Sequence, residues 1–124
     1  MASLLTHTRR HDITFNRNGC IRIASRIVRM LSISPGDSIN IDLHNGEYLL
    51  YVTRHTDSSC RYEAQCYPSK GNNRNYCANS VRLCRALFAS VGYDGAKRVS
   101  YAVGEPIELD TKTYIPIITR QPLS

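Results

Sequence analysis

The side chains best suited to metal or nucleophilic chemistry are five cysteines, Cys20, Cys60, Cys66, Cys77 and Cys84, and four histidines, His7, His11, His44 and His55. Zinc sites use close cysteine pairs such as C-x₂₋₄-C, or such a pair joined to spaced histidines. No two of these cysteines lie that close, and the histidines are scattered. The expectation is therefore free, reduced thiols and no metal, in keeping with an odd cysteine number and no secretion signal at Met1 to Arg10. Cys77 and Cys84 fall on a helical pattern and read as small buried hydrophobes. The chain contains no G-x-S-x-G, H-E-x-x-H or phosphate-binding G-x-x-x-x-G-K segment, and its spacing brings no carboxylate pair or Cys/His pair together. We expect no catalytic residue, no cofactor and no enzymatic activity.

The arginines offer a different chemistry. Arg9, Arg10, Arg17, Arg22, Arg26 and Arg29 come early in the chain, opposed only by Asp12. Arg61, Lys70, Arg74, Arg82 and Arg85 form a second group, opposed by Asp57 and Glu63. Most acids sit later in each half: Asp37, Asp42, Glu47, Asp94, Glu105, Glu108 and Asp110. Guanidinium forks bind phosphate oxygens, and released counterions supply much of the resulting affinity. The net charge of +6 and isoelectric point near 9.3 favour an anionic partner, nucleic acid first and an acidic protein second. The competing reading is a set of solvated helix faces. The candidate DNA contacts are Arg17, Arg22, Arg26, Arg29, Arg82 and Arg85, with Arg26 and Arg29 expected to point to solvent.

Those arginines must be positioned by local structure. Asp12 to Asn16 alternates through Ile13 and Phe15, as a half-buried strand does. Asn18-Gly19 is a turn signal, and Cys20 to Ile23 resumes the alternation. The period then lengthens: Ala24, Ile27, Val28 and Leu31 define one helix face, and Pro35-Gly36-Asp37 stops it. Ser38 to Leu43 and Glu47 to Thr53 flank His44-Asn45-Gly46 and predict a hairpin.

The second half follows a similar order. Tyr62 to Tyr67 reads as a strand, Pro68 to Asn75 as a polar loop, Ser80 to Val91 as a helix with Val81, Cys84, Leu87 and Phe88 on one face. Arg98 to Val103, Glu105 to Leu109 and Thr113 to Thr119 read as strands, with Pro106 and Pro116 suited only to edges or strand ends. Setting Arg26 on Arg82 also sets Arg29 on Arg85, Leu31 on Leu87 and Gly36 on Gly92, but it sets Gly19 on Asn75. Setting Val28-Arg29 on Val81-Arg82 loses the other arginine. Duplication and an unrelated second half with the same element order both stay open.

Gly19-Cys20-Ile21-Arg22-Ile23, then Ile27 to Ile33, then Gly36-Asp37-Ser38-Ile39-Asn40-Ile41 resembles the SpoVT/AbrB swapped-hairpin family of small DNA-binding proteins over Asp12 to Val52. The resemblance implies a homodimer whose chains exchange hairpins, binding DNA through basic residues of the first loop and short helix. Arg29 stands where the family commonly has a helix arginine. Val28 and Cys20 stand where it has others, Ala24 replaces its proline and Ser32 its glycine. Arg17, Arg22 and Arg26 lie nearby as substitutes. If the halves are duplicated, one chain would form an intramolecular pseudo-dimer in place of the homodimer.

The expected fold is mostly β with two short helices (α+β), an AbrB-like strand–helix–hairpin module. Its expected parts are a flexible N-terminus at 1–8, a first half at 9–56, a linker at 57–61 and a second half at 62–120. A composition of 42% hydrophobic and 21% charged residues suits a folded chain. No apolar run approaches the roughly 20 residues of a membrane span, which points to the cytoplasm. The functional expectation is a DNA-binding regulator or antitoxin-like protein acting on duplex DNA. The alternative is a protein–protein module on the same fold, with its eight tyrosines as interface anchors.

Overall fold

The computed structural model describes residues 11–58, 63–93 and 95–123. The expected flexible segment 1–8 lies outside them, as do Cys60 and most of the expected linker. Alternating apolar residues dominate the chain, and the outcome among the described residues is nine strands and two helices. In order these are β1 (Ile13–Asn16), β2 (Cys20–Ile23), α1 (Ser25–Leu31), β3 (Ser38–His44), β4 (Glu47–Thr53), β5 (Tyr67–Ser69), β6 (Asn72–Asn79), α2 (Val81–Val91), β7 (Arg98–Val103), β8 (Ile107–Leu109) and β9 (Lys112–Leu123).

The strands form one curled antiparallel half-barrel in the order β3-β4-β9-β7-β1-β2-β6-β5, with β8 hairpinned onto β9. Residues 64–66 draw its two edges together. Ala64 donates its amide to Asn79 O (3.3 Å), Ile39 donates to Ala64 O (3.1 Å), and Cys66 donates to Asp37 O (2.7 Å). Inside lie Ile13, Phe15, Ile21, Ile23, Ile27, Leu50, Cys66, Cys84, Phe88, Tyr101 and Ile115, all at most 2% exposed. Each expected inward position of β1, β2 and α1 is in this core apart from Ala24, which precedes the helix, and Val28, which packs partly against it.

Several sequence expectations differ from the structure. Pro68 to Asn75 is not a loop: it holds most of β5 and the first half of β6, joined at Lys70-Gly71. Its polar composition matches an outward-facing edge ribbon, and Pro68 is tolerated because β5 is the edge. Of the expected strand at 62–67, Glu63 and Ala64 are bent, Gln65 makes a single bridge to Ser38 and only Tyr67 enters β5. Cys77 lies on β6 instead of a helix. Pro116 sits within β9 between β4 and β7, away from any edge. Its carbonyl accepts from Gly104 N (2.8 Å) just past the end of β7, and its nitrogen, which faces the same side, gives no bond in return. Val81 is 43% exposed, although its helical partners Cys84, Leu87 and Phe88 are buried. No helix among the described residues is long and apolar enough to cross a membrane.

Candidate nucleic-acid interface

The two helices place their arginines in matching ways. Arg26, second in α1, reaches Asp12 Oδ2 (3.3 Å) and Glu105 Oε1 (3.5 Å). Its side chain is 28% exposed, and Asp12 is buried. It does not extend freely into solvent as expected, because Asp12 at the mouth of β1 captures it. Arg82, second in α2, reaches Glu63 Oε1 (2.6 Å) on the segment that opens the second half. Arg29 and Arg85, three residues further along each helix, are exposed. The six candidates therefore divide into a structural pair, Arg26 and Arg82, and an outward pair, Arg29 and Arg85, with Arg17 and Arg22 on the first hairpin.

The hairpin positions follow from strand register. Directly opposed residues of antiparallel strands share a face. Ile13, Phe15, Ile21, Ile23, Ala78 and Val99 face the core, so their neighbours face outward. One outward row runs Ser100, Thr14, Arg22, Cys77, Tyr67 across β7, β1, β2, β6 and β5. The next places Arg98 opposite Asn16 and Asn79 opposite Cys20, with the Asn16 amide donating to Cys20 O (2.9 Å). At the β1–β2 turn, Arg17 N donates to Lys97 O (2.8 Å), which brings Lys97 beside Arg17 and Asn18. Among the described residues, these two rows and the turn carry Arg17, Arg22, Lys97 and Arg98 and no carboxylate.

A pocket of about 560 Å³ opens on this face, lined by His11, Thr14, Arg22, Ser69, Lys70 and Asn75 among others. Its walls are fixed by bonds that leave donors inside it. Thr14 Oγ1 and Ser100 Oγ lie 2.7 Å apart. Asn75 Oδ1 accepts the Ser25 amide (2.9 Å), capping α1 from a neighbouring strand and leaving the Asn75 NH₂ end to donate elsewhere.

The part of the sheet on the other side of β7, β3 with β4 and β9, is different in kind. It carries exposed Asp42 and Glu47 and buried Leu49, with Tyr51 packed edge-on against Tyr114 (5.4 Å) and Lys112 over the Tyr51 ring (5.5 Å). The hairpin of β8 and β9 adjoining it adds exposed Glu108, Ile107 and Leu109.

Asp37, of the Gly36-Asp37 motif, is buried and serves structure. It accepts from Ser34 N (2.8 Å), His55 N (2.9 Å), His55 Nδ1 (2.7 Å) and Arg54 (2.9 Å). Burial would push its carboxyl up, but the bonds from His55, Ser34 and Arg54 prevail and hold it down at about 2. Cys20, Cys66, Cys77 and Cys84 stand as free thiols. Burial, with Asp37 and Cys77 nearby, pushes the Cys66 thiol up to about 12, and burial raises Cys84 to about 11. Neither is a thiolate at neutral pH. Among the described residues no group of three metal-ligating side chains comes together.

Sequence reasoning missed Lys97, Arg98, Thr14, Lys70 and Asn75. Arg98 and Ser100 were legible as the outward phase of an alternating strand, but their proximity to Arg22 depends on β7 pairing with β1 across most of the chain. Lys70 and Asn75 were hidden by reading their segment as a loop. In comparisons with known proteins, no family model, no curated protein and no solved structure matches this chain.

Proposed function

We propose that this chain binds nucleic acid through the outer face of β7-β1-β2-β6, with the exposed Arg29 and Arg85 as further contacts, on an AbrB-like fold built from two halves of one chain. The observation that carries the reading is the gathering of basic side chains on one part of the sheet. Among the described residues, Arg17, Arg22, Lys97 and Arg98 occupy rows and a turn with no carboxylate, while Asp42 and Glu47, with Lys112, lie on β3, β4 and β9. Such a field attracts a phosphate backbone in a definite orientation.

The pairing pattern supports the two-halves part of the reading. Exchange β1 with β5, β2 with β6, β3 with β7 and β4 with β9. The β1·β2 pair becomes β5·β6, β3·β4 becomes β7·β9, and β2·β6 and β4·β9 return to themselves. The β1·β7 pair becomes a contact of β3 with the second half's first strand, a place held by the Ser38–Gln65 bridge. The exchange also carries Arg26–Asp12 onto Arg82–Glu63 and Arg29 onto Arg85. One chain would then supply what two supply in a swapped-hairpin homodimer, acting as a cytoplasmic DNA-binding regulator or antitoxin-like protein.

The test is titration of mixed-sequence duplex DNA at several salt concentrations. The expected result is binding whose log–log salt slope is close to minus 0.9 per phosphate neutralised, roughly minus 4 for four or five contacts. Absence of binding at low salt would overturn the reading. A second reading, a protein-interaction module, is favoured by one observation: Leu43 (60%), Ile118 (45%), Leu109 and Ile107 are exposed apolar residues around the β4–β9 wall.

A further inference from the structure

We infer that the pocket on the basic wall is a binding site for the phosphate ester of a nucleoside, with Arg22 and Lys70 as the charged contacts. The inference deepens the nucleic-acid reading and locates its contact at one site.

The pocket's chemistry is one-sided. Arg22 and Lys70 are both exposed at its rim, and among the described residues none lining it carries a carboxylate. The neutral groups around them can donate: the hydroxyls of Thr14 and Ser69, when they accept from Ser100 Oγ (2.7 Å) and Cys77 Sγ (3.0 Å), and the NH₂ end of Asn75, whose oxygen is already committed to Ser25 N. An oxyanion would find a guanidinium, an ammonium and amide or hydroxyl donors converging from β1, β2, β6 and the β5–β6 turn. The volume of about 560 Å³ exceeds what a bare phosphate fills and falls in the range of small-molecule sites. A sugar and base can therefore enter with the phosphate. One strand beyond Cys77 in the same outward row, Tyr67 is 51% exposed and offers a ring on which a base can stack. Arg22 and Tyr67 lie two strand spacings apart, about 10 Å, a span that the arginine side chain and one nucleotide bridge together.

The shared chemistry, a nucleoside phosphate, can come from a free nucleotide or from an unpaired residue of a strand. The experiment separates them. The full chain, labelled with ¹⁵N, is titrated with adenosine 5′-monophosphate and, separately, with adenosine. A fluorescent oligothymidylate and a duplex are followed by anisotropy. The variants are Arg22→Ala, Lys70→Ala and, as a charge-matched control outside the pocket on β9, Lys112→Ala, each checked for folding by its amide spectrum. The expected result is saturable shifts at residues 14, 22 and 69–75 with the monophosphate and none with adenosine. Arg22→Ala and Lys70→Ala should each weaken binding about tenfold, and Lys112→Ala should leave it unchanged. Displacement of the monophosphate by oligothymidylate identifies a strand as the source. Monophosphate binding without oligonucleotide or duplex binding identifies a free nucleotide, in which case the pocket stands and the nucleic-acid reading falls. Nucleic-acid binding that is insensitive to Arg22→Ala and Lys70→Ala, with no monophosphate shifts, overturns the pocket and leaves that reading intact. No binding of any probe overturns both.

Discussion

The two helices start alike and end differently. Each has an arginine at its second position tied to an acid that opens its own half. Each ends in a left-handed residue, but α1 does so at Ser32 (φ 50°) and α2 at Gly92 (φ 85°). Glycine takes that conformation without steric cost, so α2 is closed locally, with Tyr93 N bonded to Phe88 O (2.8 Å). Serine takes it at a steric cost. The local bond is present in α1 too, Ile33 N to Val28 O (2.9 Å), but its C-terminus is also braced from outside. Arg54 donates to Leu31 O (2.7 Å) and Ser32 O (2.6 Å), and the same guanidinium is anchored by Asp37. The lesson is that a helix end closed at a non-glycine residue can be braced by a tertiary ion pair, which ties that end to one buried carboxylate.

Removing that carboxylate should have the largest effect. Asp37→Ala leaves Arg54 and the Ser34 and His55 amides without their acceptor, and should cost about 3–5 kcal/mol by chemical denaturation. Acid should act in the same direction. The Asp37 carboxyl titrates at about 2 in the folded chain against an ordinary value of 3.8. Its contribution, about 2 kcal/mol, is thus fully present above pH 3.8 and lost as pH falls through about 2. Asp37→Asn should flatten that limb of the stability–pH curve. An unchanged limb would show that the node does not govern it.

Next in size is Gly19→Ala. At φ +100° an added Cβ would lie 2.8 Å from Val81 N and Cγ2, so the β1–β2 turn could not keep its seat on the start of α2. We expect a loss of about 1–3 kcal/mol. Gly71→Ala, at φ +80° in open space, should cost about 1 kcal/mol or less. Equal losses would mean that backbone strain alone matters and the contact between the halves does not.

The smallest effects compare the two matching ion pairs. Arg26→Ala uncovers buried Asp12, whose Oδ2 keeps only its bond from Val103 N (3.1 Å). A loss of about 1–3 kcal/mol is expected in thermal or urea unfolding. Arg82→Ala breaks a pair whose arginine is 73% exposed, and should change stability by less than about 1 kcal/mol. A larger loss from Arg82→Ala would reverse the ranking of the halves.

Short-range patterning made much of the fold legible. The period of two through Ile13, Phe15, Ile21 and Ile23, the turns at Asn18-Gly19 and Asn45-Gly46, and the helical face of Cys84, Leu87 and Phe88 are local properties, and each appears in the structure where the residues place it. The ribbon at 67–79 was not legible, because one face of an edge hairpin needs no apolar alternation and Lys70-Gly71-Asn72-Asn73 resembles any loop. The candidate site was half legible. Arg26 and Arg29 both read as pointing to solvent and only Arg29 does, because whether an arginine is spent on an internal acid depends on which carboxylate lies beside it. Asp12 sits beside Arg26 only because β1, β7 and the start of α1 converge there.

By itself, then, the sequence determined the strands, turns and helices that depend on residue period and on backbone freedom at a few positions. Tertiary structure alone decided that β1 pairs with β7 and β2 with β6, that Arg22, Lys70 and Asn75 border one pocket, and that Asp37 braces the end of the first helix. The physical reason is range. Period and turn chemistry act over a few residues, while pairing across the halves depends on how two apolar faces bury each other, and that is a property of the whole chain.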